Sequence, residues 1–154
     1  RSTQAKTLFP YTTLFRSNLP IIVINRSYGS GTRINYQDKA LGGTAFMKSG
    51  SNYKEVGSSG EMMTNVATRS GAIGYLDLAY IKGDKVKAVS FNGVQPTVKN
   101  VENGSYPVWG YGYYLTNGEA KGIAKDFINY VQSTNFQSTK LAEMGFIPLT
   151  NIKP

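Results

Sequence analysis

The sequence has 154 residues, and its 17 basic residues exceed its 9 acidic residues, so the formal net charge is +8. It contains neither cysteine nor histidine, which excludes thiol catalysis, disulfides, histidine-based triads and zinc sites built from Cys or His. The length suits one ordinary domain with its own hydrophobic core.

Residues 1–18 differ in character from the rest of the chain. They contain Thr-Leu-Phe twice and three basic residues without an acid. We interpret them as an unrelated tail that arose by translation of a sequencing-adapter sequence. The alternative is a genuine edge strand, because Tyr, Thr and Phe favour strands. The segment lacks the pattern of a signal peptide, and we expect no membrane span in the chain.

An apolar run followed by a glycine turn and a helix occupies residues 20–41. Pro20 opens a predicted buried strand that continues to Asn25, and its unbroken β-branched character is typical of a parallel sheet covered on both faces. A helix is predicted from Ser30 to Leu41 because apolar residues recur there at helical spacing.

The segment Arg-Ser-Tyr-Gly-Ser-Gly-Thr-Arg at 26–33 joins this strand to the helix and predicts an anion site. The first N–H groups of a helix lack intrahelical partners and carry partial positive charge. Ser30 and Thr32 add hydroxyl donors, while Gly31 lets the backbone approach a ligand closely. Arg26 supplies a planar, permanently charged fork that suits a tetrahedral oxyanion. From these residues alone, an ordinary N-cap on a flexible turn remains the alternative.

The remaining predicted elements alternate between helices and strands. In chain order they are a polar loop to residue 57, a helix over 59–71, a buried strand over 72–80, a third strand over 86–91 that ends at an Asn-Gly turn, an extended segment over 107–115, an amphipathic helix over 119–132, and a last helix that Asn135 caps and Gly145 ends. The inward face of the amphipathic helix is predicted to comprise Ile123, Phe127, Tyr130 and Val131. This alternation indicates the α/β class.

Basic residues outside the tail are scattered along the chain rather than clustered. Lys82, Lys85 and Lys87 come nearest to a cluster, and Asp84 interrupts them. We interpret them as a solvated turn, so no nucleic-acid partner is predicted.

Five segments carry a family resemblance. They are Arg-x-x-x-Ser-Gly-Thr-Arg at 26–33, Gly-Ala-Ile-Gly-Tyr at 71–75, Asn-Gly-Val-Gln-Pro-Thr at 92–97, Asn-Gly-Ser-Tyr-Pro-Val-Trp at 103–109, and Gly-Phe-Ile-Pro-Leu at 145–149. In this order they resemble the PstS family, the phosphate-binding proteins of bacterial ABC-type phosphate importers, over residues 19–154.

The resemblance implies a periplasmic-binding-protein-like (type II) fold, in which two α/β lobes clasp phosphate between them. Residues 19–110 would form a portion of lobe two that includes the phosphate loop, and residues 111–154 would form the hinge return and the C-terminal part of lobe one. We expect the first half of lobe one and the opening of lobe two to lie outside this sequence, so that the fold is incomplete.

The same resemblance implies which residues bind phosphate: Arg26, Ser30, Gly31 and Thr32. No metal and no cofactor are implied. The family's other ligands, including a carboxylate that accepts a phosphate proton, fall in the region that we expect to lie outside this sequence. We therefore expect the chain alone to bind weakly and to discriminate poorly between phosphate and sulfate.

Several other positions have weaker links to the site. Ser59 and Gly60 form a candidate secondary donor site at a helix start, with an ordinary N-cap as the alternative. Arg33 follows the family pattern, but we expect a structural ion pair with Asp38 or another acid rather than ligand contact. Asp38 and Asp77 are both predicted to be surface acids.

The predicted function is reversible binding without chemistry, so the chain is not expected to be an enzyme. The resemblance implies docking on membrane permease subunits and an extracytoplasmic location, either in the periplasm or at the cell surface as a lipoprotein of Gram-positive bacteria. Three alternatives remain at this point: a surface sensing or adhesion role, an enzyme that acts on phosphate esters, and a truncated product without activity.

Overall fold

The computed structural model describes residues 19–46 and 50–152, so the predicted tail lies outside the described residues. Within these ranges the chain forms three strands and five α-helices: β1 (Ile22–Arg26), α1 (Gly31–Ala40), β2 (Tyr53–Val56), α2 (Ser59–Thr68), β3 (Ala72–Ile73), α3 (Val98–Glu102), α4 (Gly122–Gln132) and α5 (Thr134–Phe136). Turns of 3-10 helix occupy Leu78–Tyr80 and Leu149–Asn151, and a turn of π-helix occupies Gln137–Leu141.

The three strands form one parallel sheet with β1 at its centre, in the order β2-β1-β3. Arg26 pairs with Val56 of β2, and Ile22 pairs with Ala72 of β3. Parallel neighbours require crossover connections, and here α1 connects β1 to β2 while α2 connects β2 to β3. The predicted α/β class is confirmed, as is the parallel setting of β1.

A small core binds the sheet to α2. It is centred on Ile24 of β1, Val56 of β2 and Met62 of α2, and neither Ile24 nor Met62 has any exposed surface. Partly buried apolar residues surround these three: Ile22, Val66, Ala72 and Leu76. Since burial of apolar area is the main stabilising contribution, this cluster holds α2 against the sheet.

Two strand predictions need correction. The sequence predicts a polar loop at residues 53–56, but they form β2, an edge strand whose charged residues Lys54 and Glu55 are exposed. The strand predicted over 72–80 pairs only at Ala72–Ile73, after which the chain leaves the sheet.

The strand predicted over 86–91 is also wrong. The described residues there form a single bridge between Phe91 and Val94. The predicted turn at its end is confirmed, because Asn92 and Gly93 both have positive φ, at 50° and 82°. Positive φ at both central positions is the geometry of a two-residue hairpin turn.

The predicted helices agree better with the structure than the predicted strands do, although their first and last residues differ from those predicted. Helix α1 begins at Gly31 with Ser30 as its cap, rather than at Ser30, and α4 begins at Gly122 rather than at residue 119. Ser133, not Asn135, caps the last helix, since its Oγ accepts a hydrogen bond of 3.3 Å from the Phe136 N–H. None of the helices in the described residues has the length and apolar character of a membrane-spanning segment.

The predicted inward face of α4 is largely uncovered. Of its four apolar residues only Val131 is buried, while Ile123 is 88% exposed and both Phe127 and Tyr130 are more than half exposed. The helical period marks an apolar face, but the predicted inward packing is wrong for Ile123, Phe127 and Tyr130 within the described part of the chain.

Gly74 lies where the chain leaves β3 and passes against α2. A Cβ atom at this position would overlap Met62 Sδ and would lie 3.1 Å from Val66 Cγ2. We predict that Gly74→Ala lowers the free energy of unfolding by about 1–3 kcal/mol, because an added methyl group overpacks the core.

Urea unfolding followed by circular dichroism measures this effect. Gly112→Ala is the matched control, because a Cβ atom there would meet no heavy atom within 4 Å. Equal stability of the two variants would contradict the packing that we describe.

Candidate anion-binding site

The carboxyl ends of β1 and β2 lie at one edge of the sheet because the two strands are parallel. Helix α1 begins shortly after β1, at Gly31, and α2 begins shortly after β2, at Ser59. In α/β sheets ligands bind outside this edge, where helix N-termini favour negative charge.

Arg26 is the last residue of β1, and its guanidinium is held by the start of α2. Its Nη1 donates a hydrogen bond to Ser59 Oγ at 2.9 Å, and its Nη2 donates to the Gly57 carbonyl oxygen at 3.1 Å. Its Nε is buried without a hydrogen-bond partner in the described residues. The structure thus joins two of the predicted site residues, Arg26 and Ser59, through a direct hydrogen bond.

The other three predicted ligands lie at the start of α1. Ser30 is the N-cap, and its Oγ accepts a hydrogen bond of 3.3 Å from the Arg33 N–H. Within the described residues the N–H groups of Gly31 and Thr32 donate no backbone hydrogen bond. Gly31 also faces open space, since a Cβ atom there would meet no heavy atom within 4 Å. The first turn of α1 therefore carries both the Ser30 cap and backbone N–H groups that have no backbone acceptor among the described residues.

The start of α2 is an ordinary capped helix end. Ser58 is its N-cap and accepts a hydrogen bond from the Glu61 N–H at 3.1 Å, while Glu61 Oε2 accepts from the Gly57 N–H at 2.7 Å. Ser59 and Gly60 follow as the first two residues of the helix, and Gly60 is exposed. The Glu61 carboxylate already interacts with this N-terminus, so the backbone N–H groups of α2 are less suited to bind an anion than those of α1.

Arg33 is structural, as predicted, but its acidic partner is Glu55 rather than Asp38. Its Nη1 lies 3.1 Å from Glu55 Oε1 and donates a hydrogen bond of 2.7 Å to the Arg26 carbonyl oxygen. Its guanidinium also lies 5.0 Å from the centre of the Phe46 ring, within the range of a cation–π contact.

The acidic residues offer no metal centre in the described ranges, where no group of three or more Asp and Glu side chains converges. Asp38 and Asp77 are both exposed, in agreement with their predicted surface positions.

Sequence reasoning missed a set of polar residues behind the loop. Asn25 is fully buried, and its side chain bonds with the hydroxyl groups of Tyr53 and Tyr75. Burial raises the pKa of the Tyr75 hydroxyl above 10.0, and it is the largest cause of the same shift at Tyr53. The sequence did contain a signal for this set. Asn25 directly follows four β-branched apolar residues, so it continues a buried strand, where its amide side chain needs hydrogen-bond partners.

A sequence model of a protein family, described as a PBP superfamily domain, matches residues 11–135 of this chain. The chain belongs to the PBP superfamily. The match begins inside the range of the predicted tail, and the boundary at residue 18 stays a prediction.

Relatives within this superfamily include proteins named for phosphate. The chain is 40% identical over 133 residues to the phosphate-binding protein PstS of Bacillus subtilis (strain 168). The aligned region covers 86% of this chain and 43% of the relative. The chain is 30% identical over 140 residues to the phosphate-binding protein PstS 2 of Streptococcus agalactiae, with 86% and 47% covered. The chain thus spans about half the length of the curated relatives that it matches.

A solved structure gives the same fold. A Clostridium perfringens protein with bound phosphate, described as a phosphate ABC transporter substrate-binding protein, matches with a TM-score of 0.71 and 29% identity. The match covers 86% of this chain and 54% of that chain. The predicted periplasmic-binding-protein-like (type II) fold class, as a partial form of it, is confirmed.

The Glu55–Arg33 pair predicts a pH dependence of stability. Hydrogen bonds from the Tyr53 hydroxyl and then from Arg33 lower the pKa of Glu55 below 4.5 in the folded chain. A lowered pKa means that the stabilisation is present above 4.5 and is lost as the pH falls through the folded value. Wild type should therefore exceed Glu55→Gln in free energy of unfolding at neutral pH, by less than about 1 kcal/mol since the Glu55 carboxylate is exposed.

Urea titrations of both proteins from neutral to acidic pH measure this difference. The matched control is Glu143→Gln, which alters the exposed helical pair with Lys140. A difference between wild type and Glu55→Gln that stays constant through the acidic range would contradict the assigned pair.

Proposed function

We propose that this chain binds inorganic phosphate reversibly, as part of the extracytoplasmic solute-binding component of an ABC phosphate importer, and catalyses no reaction. The observation that carries the proposal is the position of Arg26, which ends β1 at the carboxyl edge of the sheet and whose carbonyl oxygen accepts a hydrogen bond from Arg33 in the first turn of α1. Support comes from relatives named as phosphate-binding proteins and from a structural neighbour with bound phosphate.

Arg26 supplies the positive charge of the proposed site. A guanidinium has five N–H donors, and the contacts to Ser59 and Gly57 use one on each Nη atom. Further N–H groups of the guanidinium therefore remain to donate to phosphate oxygens. Because the guanidinium is already held, binding costs little further ordering of this side chain.

The first turn of α1 supplies neutral donors. The N–H groups of Gly31 and Thr32 have no backbone acceptor among the described residues, and the open space at Gly31 would let a phosphate oxygen approach them. Ser30 Oγ accepts from the Arg33 N–H, so its hydroxyl hydrogen remains to donate. Such fixed donors replace the hydration shell that the anion loses on binding.

The proposal extends to the organisation of the whole protein. We assign residues 19–110 to a portion of one lobe and residues 111–154 to the hinge return and part of the other lobe. In this arrangement the sheet edge with Arg26 faces the cleft between the lobes, and the closed protein docks on permease subunits.

Replacement of Arg26 tests the proposed charge. Arg26→Lys keeps the charge but removes the planar fork, so we predict that the Kd for inorganic phosphate rises about tenfold or more. Isothermal titration calorimetry at constant ionic strength, extended to millimolar phosphate, measures it.

Arg69→Lys is the matched control, because Arg69 lies at the far end of α2 from the proposed site and bonds only with Asn65 among the described side chains. The assignment is wrong if Arg26→Lys and Arg69→Lys change the phosphate affinity equally.

Gly31 allows binding to be separated from stability. We predict that Gly31→Ala leaves the free energy of unfolding unchanged or raises it by up to about 1 kcal/mol, since alanine favours a helix. The added methyl group occupies the space of a phosphate oxygen, so the Kd should rise about fivefold or more.

Calorimetry and urea unfolding of one preparation give both quantities. Gly50→Ala is the control, because Gly50 has similar open space but precedes β2 at the opposite edge of the sheet. Unchanged phosphate affinity in Gly31→Ala would remove the α1 start from the site.

A further inference from the structure

The backbone of Arg26 has an unusual position at the end of the central strand. In a parallel ladder, alternate N–H groups of β1 point to alternate neighbours. The Ile22 N–H donates to the Gly71 carbonyl oxygen on the β3 side, at 2.9 Å. The Arg26 N–H points to the same side, but β3 has already left the sheet after Ile73. Side chains must therefore satisfy it.

Two buried side chains take over this role. The Arg26 N–H donates to Asn25 Oδ1 at 2.9 Å and to the Tyr75 hydroxyl oxygen at 3.1 Å. The Tyr75 hydroxyl in turn donates to Asn25 Oδ1. Tyr75 lies two residues after the last paired residue of β3, so its hydroxyl stands where the next ladder partner would be.

A longer series of hydrogen bonds connects Asn25 to the carbonyl oxygen of Arg26. Asn25 Nδ2 donates to the Tyr53 hydroxyl at 2.9 Å, and that hydroxyl donates to Glu55 Oε1 at 2.6 Å. Glu55 pairs with Arg33 at 3.1 Å, and Arg33 donates to the Arg26 carbonyl oxygen at 2.7 Å.

These hydrogen bonds form a closed ring that begins and ends on the backbone of one residue. We call it the Arg26 ring; its side chains are those of Tyr75, Asn25, Tyr53, Glu55 and Arg33. Each tyrosine hydroxyl donates once and accepts once, and the Asn25 amide has partners on both its oxygen and its nitrogen. A buried amide costs free energy unless it is satisfied in this way.

Packing also fixes the aromatic side chain of Tyr75. Its aromatic ring stacks on that of Tyr36 at a centroid distance of 4.4 Å with 5° between the planes, and Phe46 stacks on both. The Tyr75 hydroxyl is therefore held by the stack on one side and by Asn25 on the other.

We propose that Tyr75 and Asn25 are positioning residues, which fix the Arg26 peptide so that its guanidinium reaches Ser59 and Gly57 and points at the bound anion. The proposal rests on the proposed function for its link to phosphate, but the positioning itself exists without ligand. A purely structural role would affect stability and leave the guanidinium as ordered as before.

Tyr75→Phe in the full chain tests the proposal, since it removes one hydroxyl and keeps the aromatic stack. The readout is the set of Arg26 guanidinium N–H signals in a ¹⁵N NMR spectrum recorded without phosphate. In wild type, restricted rotation should keep the Nη signals of Arg26 separate. In Tyr75→Phe we expect them to broaden or merge, and the Kd for inorganic phosphate to rise about threefold to tenfold.

Tyr36→Phe is the matched control, because it removes a hydroxyl from the same stack and no hydrogen bond of that hydroxyl is found in the described residues. It should leave both readouts at wild-type values. If Tyr75→Phe does not fold, Tyr53→Phe breaks the Arg26 ring at a more exposed position and the same two readouts apply.

The outcomes separate the two proposals. Merged Nη signals in wild type, or unchanged signals in the Tyr75 variant, overturn positioning whatever happens to phosphate binding. Altered signals with an unchanged phosphate Kd overturn the functional role of the ring. Absence of phosphate binding in wild type contradicts the proposed function, while an effect of Tyr75→Phe on the Arg26 signals would still support the ring.

Discussion

The alignment of two parallel strands is the constraint on which the rest of the structure depends. Because β1 and β2 run in the same direction and Arg26 pairs with Val56, the end of the central strand, the Gly57 carbonyl and the start of α2 all meet at one edge. A slip of one residue in this register would turn Arg26 to the opposite face of the sheet. The buried contacts of Ile24 with Met62 make such a slip costly, so the small core also determines the geometry of the candidate site.

The two arginines at this edge of the sheet, Arg33 and Arg26, have different electrostatic roles. Arg33 is neutralised by Glu55 and bonds with the backbone, so its charge is largely used within the fold. Among the described residues the hydrogen-bond acceptors of the Arg26 guanidinium are neutral, a hydroxyl and a carbonyl oxygen, so the proposed site keeps its positive charge for an anion. A cation that is positioned without an acidic partner is the arrangement expected of an anion receptor, because a carboxylate beside it would compete with the ligand.

Much of the candidate site could be predicted from the sequence because it is local. The apolar run, the Ser-Gly-Thr helix start and Arg26 are neighbours in the chain, so strand, cap and donors follow from short-range rules. Strand β2 was missed because two of its four residues are charged, as an edge strand permits. The role of Tyr75 was missed because it depends on where β3 stops pairing, which no local pattern encodes. Periodicity likewise marks the apolar face of α4 but not what covers it.

The most direct test of the central claim is a titration of the ¹⁵N-labelled chain with inorganic phosphate, followed through the backbone amides of Gly31 and Thr32. At constant ionic strength the account predicts saturable shifts of these two N–H signals, together with those of the Arg26 guanidinium, because they are the proposed donors. Shifts confined to other residues, or a linear response equal to that produced by chloride, would show that phosphate does not bind at this edge and would contradict the account.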